Sequence, residues 1–297
     1  MVTILINGKA GSLTGPDSRE KLEGLLLQAL PDAQVVFTGN GTDVAAEARR
    51  SVENGARMVV GGGGDGTLSA IAGVLADTET PLGILPLGTL NHFAKDLGIP
   101  LEIDAAVATL TTGRVTQVDV GEVNGSLFLN NSGLGLYPVI VHIRELRQSH
   151  GVAKWPAALW ATCKAFARYE RLSIRVLVEG KELRRRTPVV FVGNNEYLHD
   201  RIQLPARDRL DDGLLSVYIP HAQGRVGLIW FSIRALFGKP KADRDFDSFL
   251  TSEFWIETRH HALKISLDGE VIVHQPPLHY RTRPQALRVI VPREAAS

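Results

Sequence analysis

In the N-terminal third of the chain, short apolar runs alternate with stretches whose apolar side chains return every three or four positions. Val2 to Ile6 is one such run, and the turn-rich Asn7-Gly8-Lys9-Ala10-Gly11 follows it. Asp17 with Glu20 forms a helix-opening pattern, Leu22, Leu25, Leu26, Ala29 and Leu30 continue at helical spacing, and Pro31 ends the run. The same reading predicts strands at Gln34–Phe37, Arg57–Val60 and Leu82–Leu85. It predicts helices at Asp43–Asn54, Thr67–Ala76, Thr89–Leu97 and Asp104–Thr111. Strands alternating with helices at this spacing imply a parallel sheet flanked by helices.

Beyond about residue 114 the texture changes. Val115–Val123 and Ser126–Asn131 read as strands joined by Asn124-Gly125, a hairpin signal. Further strands are predicted at Leu172–Val178, Pro188–Val192, Leu214–Ile219, Ala262–Leu267 and Leu287–Val291, with helical stretches at Pro138–Tyr169 and Arg225–Phe237. The fold expected is an α/β N-terminal domain with a parallel sheet, then a mainly antiparallel β C-terminal domain. The boundary falls near residues 114–125.

Composition narrows the function classes. The chain has 297 residues, 44% of them hydrophobic and 22% charged, which is enough to bury a core without staples. A net charge of +1 gives no overall attraction to nucleic acid, so none is expected as a partner. The one cysteine, Cys163, permits no intrachain disulfide. The first residues read as a buried strand rather than a signal peptide, and no apolar run reaches the roughly 18 residues needed to span a bilayer. His260 and His261 are adjacent and would point apart on a strand, so a zinc site is not expected.

The candidate chemistry begins at Gly61-Gly62-Gly63-Gly64-Asp65-Gly66-Thr67, after the third strand. Four consecutive glycines bury no side chain and let backbone N–H groups approach a ligand closely. A helix opening behind them favours an anion. Gly61, Gly63 and Gly66 satisfy the dinucleotide spacing, but Asp65 would face a pyrophosphate there, and no lysine follows Gly66 as in an ATP P-loop. A second strand-to-helix loop, Pro86-Leu87-Gly88-Thr89-Leu90-Asn91, could cap its helix through Thr89 or offer that hydroxyl to a phosphate. Asp212-Gly213 and Asp268-Gly269 read as tight turns that can project a carboxylate.

Taken in order, Gly62 to Thr67, Leu87-Gly88-Thr89-Leu90-Asn91-His92-Phe93-Ala94-Lys95, Gly193-Asn194-Asn195, Pro205-Ala206, Leu210-Asp211-Asp212-Gly213-Leu214-Leu215 and Ser266-Leu267-Asp268-Gly269-Glu270 resemble the diacylglycerol kinase catalytic-domain family. That family includes bacterial soluble lipid kinases and the sphingosine and ceramide kinases. The resemblance implies ATP bound between two domains, the first related in fold to NAD kinases and phosphofructokinases. It divides the chain into 1–120, joined by 285–297, for ATP, and 121–284 for substrate and metal. It implies that Asn7, Lys9 and Gly11 line the triphosphate entrance and that Thr38 lies near the nucleotide. Gly62, Gly63, Gly64, Asp65, Gly66, Thr67 and Thr89 would hold phosphates. Asp212, with the backbone oxygens of Arg209 and Leu214, would hold Mg²⁺. The base would be Asp268 or Glu270.

The expected activity is ATP- and Mg²⁺-dependent phosphorylation of a lipid hydroxyl, diacylglycerol first. The alternatives are an NAD kinase-like or other small-molecule kinase, or a non-catalytic nucleotide- or lipid-binding protein. The acceptor would be met at a membrane surface by a cytoplasmic protein, with peripheral contact on the inner face and a homodimer both left open. Trp155, Leu159, Trp160 and Phe166 among Arg144, Arg147, Lys154, Lys164 and Arg168 read either as an interfacial segment or as a helix packed on the sheet.

Overall fold

The computed structural model describes residues 1–8, 10, 18–39, 41–135, 172–197, 207, 209–220 and 246–293. Lys9, Gly11 and Pro205-Ala206 lie outside the described residues. So do the stretches expected to be helical at 138–169 and 225–237, with the interfacial candidates they carry.

The N-terminal part is an α/β domain with a mostly parallel sheet. Its elements are β1 Val2–Asn7, α1 Ser18–Ala29, β2 Ala33–Thr38, α2 Gly41–Glu53, β3 Met58–Gly63, α3 Asp65–Leu75, β4 Leu82–Pro86, α4 His92–Asp96 and α5 Ile103–Thr112. The four strands run in the order β2-β1-β3-β4, all parallel. β1, β3 and β4 are apolar and buried along nearly their whole length, as strands covered on both faces must be. Leu22 and Leu26 of α1 and Leu68, Ile71 and Leu75 of α3 fill the core against them.

The C-terminal part is an antiparallel β sandwich. It comprises β5 Arg114–Val123, β6 Ser126–Phe128, β7 Asn131–Gly135, β8 Leu172–Val178, β9 Lys181–Thr187, β10 Val189–Asn194, β11 Leu215–Pro220, β12 Phe246–Thr251, β13 Glu253–Thr258, β14 Leu263–Leu267, β15 Glu270–His274 and β16 Leu278–Val291. One sheet continues the parallel strands as β2-β1-β3-β4-β16-β13-β8-β9, with β5 beside β16 and β6 beside β5. The other is β12-β11-β10-β7-β14-β15. Their facing side chains, among them Val176, Val192, Val217, Phe254, Ile256, Ile265 and Tyr280, form a second core.

β16 serves both cores. Leu278 and Tyr280 belong to the sandwich, whereas Leu287, Val289 and Val291 pack with the N-terminal helices and strands. The register against β5 slips between Arg283 and Leu287, where Gln285 takes φ 53°. Such a bulge adds a bend and re-aims the side chains that follow.

Three sequence expectations need correction. The helix expected from Thr89 begins at His92, because Asn91 sits in the left-handed region (φ 51°) and breaks the helical path. The run Ser126–Asn131 is not one strand but β6 and β7, parted at Leu129 and Asn130. β9, β12 and β13 were not anticipated. β9 carries Arg184-Arg185-Arg186 and exposes alternate residues, so its pattern reads as polar and only pairing with β8 makes it a strand.

Candidate active site

Each glycine of the run answers a different neighbour. Gly61, Gly62 and Gly63 end β3 and are buried. A Cβ on Gly61 would press on Ile71 and Leu68 of α3, and one on Gly63 would meet Thr67 Oγ1 at 2.5 Å. Gly64 precedes the first turn of α3, and no side chain caps that helix. The N–H groups of that turn are therefore open to an anion. Asn7, ending β1, donates from Nδ2 to Thr67 Oγ1 at 3.2 Å. Since Thr67 accepts there, its own proton is free to point elsewhere.

Asp65 does not face the open N–H groups as a bare charge. Its carboxylate accepts from His92 N at 3.2 Å and Phe93 N at 3.0 Å, capping α4 from the first turn of α3. The second loop is fixed twice more. Asn91 takes Gly88 N on Oδ1 and donates to the carbonyls of Pro86 and Gly88. Gly88 packs so closely on Gly64 that any Cβ would collide with that backbone. Thr89 is exposed at the tip of this loop and is not the helix cap, which is Asn91. Thr38 lies at the end of β2, on the far side of β1 from the glycines. Its buried hydroxyl donates to the Ile6 carbonyl.

The hairpin at Asp268-Gly269 joins β14 to β15, with Leu267 opposite Glu270 and both turn residues at positive φ (47° and 96°). The turn does what its dipeptide suggests, and it also aims the Asp268 carboxylate inward. Oδ2 accepts Leu129 N at 2.7 Å and the Ser69 hydroxyl, while Oδ1 accepts Asn130 N at 2.8 Å and Asn131 N at 2.9 Å. Four donors fill the acceptor sites of one carboxylate. Convergence of three successive N–H groups on one side chain is also why β6 and β7 separate there. Burial pushes the Asp268 pKa up, and the Ser69 hydroxyl and the three amides oppose that.

Glu270, two residues on, is placed differently. A methyl group on Gly66 would come within 3.2 Å of Glu270 Oε1, so this carboxylate lies over the first turn of α3. Its pKa is raised, by partial burial first and by the charge of Asp268 second.

The carbonyl side of the Leu129–Asn130 loop is held from the opposite direction. Arg207, whose side chain is 0% exposed, donates to the carbonyls of Leu129 (2.7 Å) and Asn194 (3.1 Å) and to Asn130 Oδ1 (2.9 Å). It also pairs with Asp96 of α4 at 2.8 Å. Burial pushes the Asp96 carboxyl up, and Arg207 pulls it back. Asn194 Nδ2 bonds the carbonyls of Asp119 and Leu129, and the Tyr197 hydroxyl, its pKa pushed up to about 12 by burial, bonds the Asn130 carbonyl. The backbone groups of this loop are thus matched on both sides.

Asp212 sits beside the same network. Its Oδ1 accepts from Asn195 Nδ2 (2.7 Å) and Leu214 N (3.0 Å), and Oδ2 accepts from Glu196 N (3.2 Å). Asn195 Nδ2 also reaches Asp119 (2.8 Å), whose carboxylate takes Gly213 N and Gln285 N. Leu214 gives its carbonyl to Asn195 N, and Arg209 pairs outward with Asp211. The structure therefore gathers Asn7, Gly62–Thr67 and Glu270 at the α3 N-terminus, with Asp268 behind. Asp212, Arg209 and Leu214 form a separate group, linked to it through Asn194 and the Leu129–Asn130 loop.

The sequence reading missed Ser69, Asp96, Asp119 and Arg207, and it quoted Asn194 and Asn195 without a role. Asp119 carried one signal, a carboxylate between Val118 and Val120 in a run read as strand, where Asp is disfavoured. Ser69 and Asp96 fall inside the stretches read as helices at Thr67–Ala76 and Thr89–Leu97, and no local signal marks either.

Residues 1–123 match the family model described as the diacylglycerol kinase catalytic domain. Residues 139–291 match the YegS C-terminal NAD kinase beta sandwich-like domain. The chain is 34% identical over 262 residues to a protein of Pseudomonas savastanoi named "Probable lipid kinase YegS-like", covering 84% of this chain and 82% of that one. It is 30% identical over 277 residues to one of the same name from Chromohalobacter salexigens, covering 92% and 87%. In fold it resembles a diacylglycerol kinase structure from Bacillus anthracis, with a TM-score of 0.72 at 23% identity over 98% of this chain and 96% of that one.

Proposed function

Because the chain belongs to the YegS-like lipid kinases, phosphotransferases with an alcohol acceptor built on the diacylglycerol kinase catalytic domain, we propose that it transfers the γ-phosphate of ATP to the free hydroxyl of diacylglycerol, with Mg²⁺. The observation that carries this reading is the Glu270 carboxylate lying over the uncapped first turn of α3. A phosphate cradle and an acceptor for a proton meet there, and phosphoryl transfer asks the protein for little more than alignment, charge stabilisation and a base.

In this reading the N–H groups of the α3 first turn and the Thr67 hydroxyl bind phosphate oxygens, and Asn7 orients Thr67. Asp65 and Asn91 hold the second loop, with Thr89 at its tip, against the first. Glu270 takes the proton from the attacking hydroxyl. Asp268 is a positioning residue whose four hydrogen bonds fix the hairpin that presents Glu270. Residues 1–120 with 285–297 would serve the nucleotide, and 121–284 the acceptor and the metal. The course of β16 through both cores supports that partition.

The residues offered for Mg²⁺ suit it in chemistry. The set is all oxygen, and Asp212 Oδ2 keeps an acceptor site unused by N–H groups. Among the described residues no three His, Cys, Asp or Glu side chains gather to hold a metal ion, so backbone carbonyls and water would have to complete the shell. Asp212 with the carbonyls of Arg209 and Leu214 would hold the ion. When bound, Mg²⁺ neutralises charge on the ATP phosphates.

A phosphotransfer assay with ATP and Mg²⁺ on diacylglycerol, a sphingoid base, ceramide and NAD tests the acceptor. Turnover is expected on diacylglycerol, and turnover on NAD without any lipid would overturn the reading. Asp65→Ala uncaps α4 and should lower kcat at least tenfold, about 1.4 kcal/mol of barrier. Asp268→Ala should do the same by freeing the hairpin. Wild-type kcat in both variants would remove the roles assigned to them.

A further inference from the structure

At the far end of the long sheet from the glycines, β9 is the edge strand, with β8 and β13 beside it. The register sets Arg186 opposite Ser173 and Arg184 opposite Arg175. Thr258 pairs with Ile174, so Arg259, one residue on, comes level with Ser173 on its other side. An open cavity of about 500 Å³ lies there, lined by Ser173, Arg184, Arg185, Arg186, Thr258 and Arg259 among others.

The arginines around it divide into two kinds. Arg175 is held by Glu182 (2.6 Å) and Glu257 (3.0 Å), and Arg184 also pairs with Glu182. Arg185 makes two bonds to Asp247, at 2.6 and 3.2 Å. Arg186 and Arg259 are exposed and have no partner among the described residues. Two uncommitted guanidiniums flanking the Ser173 hydroxyl present the forked donors that a phosphate ester accepts.

The same outward face continues along β8 and β13 to Leu177 and Trp255, which lie opposite one another and are both partly exposed. Trp255 stacks on His279, ring centroids 4.3 Å apart. A free anion has no use for this strip, whereas a bilayer surface sets phosphates beside a zone that favours tryptophan. We propose that the Arg186–Ser173–Arg259 pocket docks the phosphate headgroup of an anionic phospholipid and so seats the enzyme on the bilayer that supplies its acceptor. This rests on the lipid-acceptor reading for its purpose, though not for its chemistry.

The test is sedimentation of the full chain with phosphatidylcholine vesicles, with and without phosphatidylglycerol. Wild type should bind more tightly when phosphatidylglycerol is present. Arg186→Glu with Arg259→Glu should weaken that binding at least about tenfold, given the attraction of single basic groups to anionic membranes. Arg186→Lys with Arg259→Lys should retain most of it. Turnover of a dispersed short-chain diacylglycerol should be the same in all three proteins, which shows the variants folded. Equal vesicle binding by wild type and the charge-reversed protein would overturn the docking site. So would binding of inorganic phosphate that depends on the two arginines while vesicle binding does not. Absence of short-chain turnover in wild type would instead strike the acceptor reading and leave the vesicle result standing.

Discussion

Glu270→Gln should lower kcat by about 10²–10⁴-fold, the range for loss of a positioned general base, with KM for ATP little changed. Glutamine keeps the shape of the side chain over Gly66, so the first turn of α3 remains as it is, but an amide cannot take a proton. Partial burial and the neighbouring Asp268 charge raise the Glu270 pKa, so wild-type kcat should climb with pH through an inflection above the ordinary glutamate range. The Glu270→Gln profile should be flat over that span. The sign for stability is opposite. A carboxyl whose folded-state pKa is raised favours the fold while protonated, and that contribution is lost as pH rises through the folded-state value. Activity and stability should therefore move apart over the same window. Asp268→Asn is the control, since its four donors leave no free lone pair for a reacting proton. If Glu270→Gln stays within threefold (roughly, well under the range for a base) while Asp268→Asn abolishes the pH inflection, the two roles are reversed.

Arg207→Met should destabilise the protein by about 3–5 kcal/mol, because removing one partner strands a buried charge. Methionine keeps an unbranched apolar stem but leaves Asp96, the carbonyls of Leu129 and Asn194, and Asn130 Oδ1 without their donor. Thermal unfolding should shift down by on the order of 10 °C. Two further readouts separate this from loss of packing. Adding Asp96→Asn should recover part of the loss, since the two changes act on one pair. The deficit should also shrink as pH falls. Burial already pushes the Asp96 pKa up against Arg207. Without the arginine the folded-state value rises further, so stability is retained below the unfolded pKa and lost as pH rises through the folded one. A deficit independent of pH and additive with Asp96→Asn would show that Arg207 acts through packing alone.

Arg207 acts directly on the short loop at Leu129 and Asn130, and the hairpin that carries Glu270 is tied to the same loop through Asp268. Neither hydrophobic pattern nor motif had singled that loop out. Asp268 takes its N–H groups from the side of Ser69, and Arg207, Asn194 and Tyr197 take its carbonyl side. Three polar residues of the site, Asn91, Asn195 and Asp268, hold φ between 47° and 67°. Most side chains avoid that region, and Asn and Asp tolerate it best.

Much of this was local and therefore legible in the sequence. Apolar runs covered on both faces made β1, β3 and β4 readable as parallel strands. Asn124-Gly125 and Asp268-Gly269 declared hairpins, because only a few residue types accept the dihedral angles of those turns. The ordered motifs identified the family. What depended on distant partners was not legible. β9 became a strand through pairing with β8, and Thr89 gave up the helix start to Asn91 and Asp65. Asp268 and Glu270 looked interchangeable two residues apart, until the fold surrounded one with four donors and set the other over Gly66. A sequence states which groups can donate, accept or bury themselves, and these residues spoke for themselves wherever the partner lay within a turn or strand. Ser69 meets Asp268 across 199 positions and Arg207 meets Asp96 across 111. Only the tertiary structure brings such groups together and so decides which carboxylate has its lone pairs filled by donors and which does not.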